Sequence, residues 1–348
     1  MSLSSTPPAP VPPPLPPSVS LVVAVTTYRR NDWLAELLPQ LVDQARAARA
    51  DEEAGVGRAR VVVVDNDPDA GAREVVEAVR AANADEPGAA GIGPHYAHEP
   101  VPGITAARNR ALDEAADARL LVFIDDDELT RPGWLTSLVR AWRTHGCAAV
   151  TGPRHPLFEA EPSAWVRGSG VFDAVRAIDG AIMPSAATAN LLLDMDVMRA
   201  LSLRFDERYG LTGGEDSMLM RSLRKGGGII RFAADAVLDE RVPAARATRG
   251  WVLRRCLRSG STWAQVRIET DADGSGSGMP LRLRYAAKGA VRAGRDGALA
   301  AIGTIRRDDD SRGRHEAACA GAVGMVMGAI GGRVQEYGRV SRLPWRRK

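Results

Sequence analysis

Asp125, Asp126 and Asp127 end the apolar run at 120–124, and a second acidic pair, Glu215 and Asp216, follows Gly213 and Gly214. A buried strand that breaks into carboxylates sets hard oxygen ligands at the carboxyl end of a sheet, where open α/β folds bind their ligands. The chemistry this suits is transfer from a nucleotide-linked donor. A diphosphate leaving group carries negative charge that Mg²⁺ or Mn²⁺ neutralises, and one or two carboxylates with phosphate oxygens and water complete its shell. Glu215–Asp216 opens a helix, where the dipole favours an ionised carboxylate suited to general-base work. Each motif alone also reads blandly, the triplet as a solvated acidic turn and the pair as an ordinary acidic helix start.

The elements that position these groups alternate. Residues 20–25 form an apolar run that breaks at Thr26-Thr27-Tyr28-Arg29-Arg30, and Trp33, Leu34, Leu37, Leu38, Leu41 and Val42 then recur with helical period. Val61 to Val64 predicts a second strand ending at Asp65-Asn66, followed by a helix over 72–82. A weak third strand over 95–98, a helix over 103–116 and a strand over 120–124 complete the pattern, which calls for a parallel sheet with right-handed crossovers. Further on, helices are expected over 134–142 and 216–223, with strands over 148–151, 188–193, 229–232 and 236–239, so the later sheet is mixed. The expected fold class is α/β with a mainly parallel central sheet and a small helical C-terminal appendage. A proline-rich leader occupies 1–18, the catalytic domain 19–270, a Gly/Ser/Asp linker 271–278 and a basic helical region 279–348.

The 348 residues carry a net charge of only +3, but residues 241–348 hold 22 Lys and Arg against 9 Asp and Glu. Such a basic end fits an anionic membrane surface or is a solvated helical face. The uncharged, glycine-rich stretch 317–332 is shorter than the roughly 20 apolar residues of a spanning helix. With Arg333, Arg339, Arg342, Trp345, Arg346, Arg347 and Lys348 behind it, it reads either as an interfacial segment or as a close-packed helical hairpin. Three cysteines without a Cys-x-x-Cys pair indicate neither a disulfide framework nor a zinc site. A cytoplasmic location is expected, with peripheral attachment at the inner face of the cell membrane as its extension. No nucleic-acid partner is expected.

Taken in order, the segments resemble the inverting family 2 glycosyltransferases of the GT-A fold over about residues 20–270. The resemblance rests on Thr-Thr-Tyr-Arg-Arg at 26–30, Val-Val-Asp-Asn at 63–66, Pro-Gly-Ile-Thr-Ala-Ala-Arg-Asn at 102–109, Phe-Ile-Asp-Asp-Asp at 123–127 and Gly-Gly-Glu-Asp at 213–216. The runs Thr-Ala-Asn-Leu-Leu-Leu at 188–193 and Gly-Trp-Val-Leu-Arg-Arg at 250–255 look like bacterial exopolysaccharide transferases of the succinoglycan type. The resemblance implies that Thr27 and Tyr28 border the nucleoside, Asp65 accepts from a uracil imide, and Arg108 lies near base and phosphates. It implies that Asp125 touches ribose or metal, Asp127 ligates the metal, and Asp126 and Arg258 join the donor-binding set. Asp216, with Glu215 beside it, is the implied base. The implied partners are a nucleotide-sugar donor, expected to be a UDP-sugar, and a lipid-linked or glycan acceptor.

Many members have Asp-Asp where this chain has Asp65-Asn66, a departure that bears on the donor base, and the absent Gln-x-x-Arg-Trp of processive synthases argues against processive polymer synthesis. Asn190 and Trp251, together with Trp165, are expected on the acceptor side. The missing Gly-x-Gly-x-x-Gly and Gly-x-x-x-x-Gly-Lys-Ser/Thr set aside a dinucleotide-dependent dehydrogenase and a phosphate-loop NTPase. A nucleotidyltransferase and a noncatalytic nucleotide-sugar-binding scaffold remain as alternatives.

Overall fold

A computed structural model describes residues 16–84, 91–210, 213–271 and 278–332. Most of the leader, most of the linker and the basic residues from Arg333 onward lie outside the described residues. The chain runs through β1 (Val19–Thr27), α1 (Asn31–Ala50), β2 (Val56–Asp65), α2 (Arg73–Ala82), β3 (His95–His98), α3 (Ile104–Glu114) and β4 (Leu120–Asp125). It continues through β5 (Glu128–Thr130), α4 (Trp134–His145), β6 (Ala149–Thr151), β7 (Arg154–Phe158), α5 (Ala164–Gly168), β8 (Asn190–Asp194) and α6 (Met195–Ala200). The remaining elements are α7 (Glu215–Lys225), β9 (Ile230–Phe232), β10 (Leu238–Val242), α8 (Arg249–Asp271), α9 (Met279–Arg306) and α10 (Asp309–Ala329).

These residues divide into two compact units. The first runs to Leu157 and takes in Ala174–Phe205 and Leu219–Arg241; the second comprises Phe158–Asp173, Asp206–Met218 and the described residues from Val242 on.

The first unit holds a seven-stranded sheet of order β3-β2-β1-β4-β8-β6-β9. Strands β3, β2, β1 and β4 are parallel, as are β6 and β9, and β8 runs antiparallel to β4 and β6. The mainly parallel sheet expected from the alternation is therefore present, with the mixed character confined to its later half. Helices cover both faces, so β1 has to be apolar on both sides, and its burial is nearly continuous. Side chains alternate across the sheet: Leu21, Val23 and Val25 pack with Leu34, Leu38, Trp134 and Trp142, while Val22 and Ala24 pack with Ala107, Ala111, Met195 and Leu223. Of a second sheet, β5-β10-β7, only β10 had a signal, in the strand expected over 236–239, because β5 and β7 are short and partly polar.

The second unit is built on α8, α9 and α10, which approach so closely that several of their glycines have no room for a side chain. A Cβ on Gly324 would lie 1.9 Å from the Leu257 carbonyl oxygen, one on Gly328 2.1 Å from that of Ser261, and one on Gly260 1.9 Å from that of Gly321. The uncharged stretch of α10 thus takes part in backbone-to-backbone helix packing, as in the close-packed reading of it, while the basic residues behind it lie outside the described residues.

Gly324→Ala should destabilise the protein by about 1–3 kcal/mol, because only backbone faces the new methyl. Gly294→Ala on α9, where a Cβ meets nothing within 4 Å, should instead stabilise by roughly 0.5–1 kcal/mol. Urea melts of the two variants check both signs.

Candidate active site

Three neighbouring strands end together. In the parallel register Thr27 pairs with Asp65 and Thr26 with Asp125, so β1, β2 and β4 deliver Thr27, Asp65 and Asp125 to one edge. The chain leaves β1 for β2 and β3 on one side and returns as β4 on the other. This reversal makes the β1/β4 boundary a topological switch point, where the loops diverge and leave a crevice.

The acidic turn after β4 is held by named partners. Asp126 is buried; Thr27 Oγ1 donates to its Oδ2 at 2.8 Å and Arg30 Nη1 to its Oδ1 at 2.6 Å. The same Nη1 lies 3.2 Å from Asp127 Oδ2. Burial raises the Asp126 pKa, with Asp127 adding to the shift, while Arg30 and Thr27 pull the other way. The Asp127 carbonyl accepts from the Arg241 backbone at 2.8 Å. Glu128, fully buried, accepts from the Asp125 backbone N–H at 3.1 Å. Burial, reinforced by Asp125, pushes its carboxyl well above the usual range, with Arg154 3.6 Å away opposing the shift. Arg30, Glu128 and Arg154 were missed in the sequence; Glu128 had a signal, being the fourth acidic residue in a row.

The remaining carboxyl and amide side chains at this edge shape loops. Asp65 is completely buried and accepts from the backbone N–H of Asp67 and Ala72, both at 2.9 Å, and from the Tyr96 hydroxyl at 3.0 Å. Burial and the bond to Asp65 push the Tyr96 phenol up to about 12, so it stays a donor. Asp65 thereby fixes the β2–α2 turn. Asn66 donates to the carbonyls of Glu99 and Val101 and accepts from Gly103 N–H at 3.0 Å, which ties β2 to the start of α3.

On α3, Arg108 is buried, lies over the Phe205 ring and has Nη2 3.7 Å from Asp125 Oδ1. Its neighbour Asn109 pairs with the Phe205 backbone in both directions, at 2.9 and 3.0 Å. Tyr28 stands partly exposed beside Arg29. The first unit thus brings together Thr27, Tyr28, Asp65, Arg108 and Asp125 to Asp127.

Glu215 and Asp216 begin α7 in the second unit, and the helix belongs to the first unit from Leu219 on. Gly213 (φ 74°) and Gly214 (φ 104°) precede them in backbone conformations that a Cβ disfavours, and a Cβ on Gly214 would meet Thr262 at 2.0 Å. Glu215 is buried. Arg258 lies on α8.

The residues expected on the acceptor side have partners within the fold. Asn190 is buried, accepting from Trp134 Nε1 at 2.9 Å and donating to the carbonyl of Ala236 at 2.8 Å, so it binds the interior together. Trp251 is already stacked on Phe172 at 5.7 Å, with Arg255 over the ring. Trp165 is likewise buried, its indole N–H given to Glu316.

Asp125 and Asp127 suit a hard divalent cation by donor type. Asp126, between them, gives its two oxygens to Thr27 and Arg30. Among the described residues no three His, Cys, Asp or Glu side chains form a cation cage, and two carboxylates sharing an ion with phosphate oxygens is the arrangement Mg²⁺ ordinarily accepts.

Strand ends carrying carboxylates at a switch point define an α/β enzyme of the group-transfer type. A family model for glycosyl transferase family 2 matches residues 22–186. The chain is 34% identical over 247 residues to the succinoglycan biosynthesis protein ExoM of Rhizobium meliloti (strain 1021), spanning 71% of this chain and 75% of that protein. The chain belongs to glycosyl transferase family 2 and is a glycosyltransferase, and its fold is of the GT-A class. Similar solved structures include S. aureus TarS (12% identity, TM-score 0.48, 85% of this chain and 55% of that one). Others are TarS 1-349 in complex with UDP-GlcNAc (14%, 0.46, 85% and 90%) and GalNAc-T7 with UDP, GalNAc and Mn²⁺ (13%, 0.48, 74% and 52%).

Arg30→Ala should cost about 1–3 kcal/mol by leaving Asp126 buried without its charged partner. Adding Asp126→Asn should recover part of that loss, which a double-mutant cycle in denaturant melts measures.

Proposed function

We propose that the protein moves a hexose from a UDP-sugar to a hydroxyl of a lipid-linked or polysaccharide acceptor, with inversion at the anomeric carbon, in the synthesis of a cell-surface glycan. The observation that carries this reading is the delivery of Asp125 and Asp127 to the β1/β4 switch point beside Thr27 and Arg108. The name of the R. meliloti relative, a succinoglycan biosynthesis protein, supports the glycan class.

In this reading Asp125 and Asp127 hold Mg²⁺ or Mn²⁺, which when bound neutralises charge on the departing diphosphate. Thr27 and Tyr28 border the nucleoside, and the buried guanidinium of Arg108 faces the phosphate side. Arg258 contributes to the donor-binding set. Asp216 removes the proton from the acceptor hydroxyl as its oxygen attacks the anomeric carbon; the bond to the diphosphate oxygen breaks, and the sugar configuration inverts. Asp216 lies in the first turn of α7. Glu215, buried next to it, positions the turn.

Asp216→Asn should lower transfer by a factor of roughly 10²–10⁴ while donor binding, followed by thermal shift, persists. Full transfer in that variant would reject the base assignment. Chelation with EDTA should abolish the UDP-sugar-induced thermal shift, and Mn²⁺ should restore it; a shift that ignores EDTA would remove the metal from the scheme.

A further inference from the structure

The 28-residue helix α9 is amphipathic in an unusual sense, since its exposed side is the apolar one. Its inner face carries Tyr285, Gly289, Asp296, Ala300 and Gly303 against the rest of the second unit. On the outer face Leu283 is 64% exposed, Val291 74%, Ile302 44% and Ile305 82%. At about 100° per residue these four fall within one arc of about 100°, and the small residues Ala287, Gly294 and Ala298 lie between them, all exposed. Arg284, Lys288, Arg292, Arg295 and Arg306, also exposed, form a continuous flank along one side of the arc. The acidic residue of the helix, Asp296, is buried and paired with Arg295 and His315. An apolar stripe with a basic border and no exposed acid is the pattern of a helix lying in the plane of a membrane interface, with aliphatic side chains among the acyl chains and cations at the headgroups.

We infer that α9 docks the protein flat onto an anionic lipid bilayer. The pairing of the two chemistries selects this occupant. A soluble polyanion would satisfy the cations and leave Leu283, Val291 and Ile305 in water, whereas a bilayer interface receives both. No helix among the described residues is long and apolar enough to cross a membrane, so attachment is in-plane. The docking element is α9, and the apolar stretch of α10 serves to hold α9 in place. The inference rests on the second unit alone and stands apart from the transfer chemistry.

Flotation of the full chain with vesicles tests it. Wild-type protein should bind phosphatidylcholine vesicles containing phosphatidylglycerol, bind phosphatidylcholine alone far more weakly, and be released by salt. Val291→Asp with Ile305→Asp should lose binding by tenfold or more. Arg292→Gln with Arg306→Gln should lose about fivefold per charge removed. Both pairs lie on the exposed side, so their melting temperatures should stay near wild type; should the aspartate pair unfold, Ile305→Asp alone takes its place. Equal binding to neutral vesicles, or binding retained by both pairs, would overturn the inference. A concentration-dependent dimer dissolved by the aspartate pair, without vesicle binding, would also overturn it and assign the stripe to a second copy of the chain. UDP-sugar thermal shifts should be unchanged in every variant, which separates failure here from failure of the transfer reading.

Discussion

Four acidic residues in succession, Asp125 to Glu128, must coexist at the end of one buried strand, and the way their repulsion is relieved organises the first unit. Each takes a different solution. Asp126 is neutralised by Arg30 and bonded by Thr27, Glu128 is buried where desolvation pushes its carboxyl well above the usual range, Asp127 shares Arg30 with Asp126, and Asp125 lies 3.7 Å from Arg108. Charge compensation, drawn from three arginines, therefore differs at each position.

The partners in this arrangement come from far along the chain. Thr27 ends β1 and Arg30 follows it, Arg108 sits on α3, Arg154 on β7 and Arg241 on β10. The second sheet, β5-β10-β7, earns its place here: it sets Glu128 opposite Glu240 in register, with Arg154 2.9 Å from Glu240 and 3.6 Å from Glu128. A turn that is acidic in sequence thus becomes rigid through a small sheet that has little apolar content of its own.

The second unit follows a different rule. Its helices carry few large core residues, and α8, α9 and α10 gain their contact area by bringing backbones together over glycines. Small residues on the inner faces let the helices close, and the large aliphatic residues of α9 are displaced outward as a result. The same economy that packs α10 tightly leaves α9 with an apolar surface, so packing and surface chemistry in this unit are two consequences of one composition.

Local pattern alone determined the strands of the parallel half, the helices between them and the placement of Thr27, Asp65 and Asp125 at strand ends, because a strand buried on both faces must be continuously apolar and breaks visibly where polar residues begin. The family was likewise legible, since its motifs are contiguous runs whose spacing survives in the chain. What each polar side chain does was not legible. The internal hydrogen bonds of Asp65 and Asn190 have no counterpart in the local pattern, and Arg30 and Glu128 gain meaning only from the carboxylates brought beside them. A hydrogen bond depends on which group lies across a few ångströms of space, at separations of 38 or 99 residues, and no local pattern encodes that. Tertiary structure alone decided the partners, and with them which face of α9 is exposed.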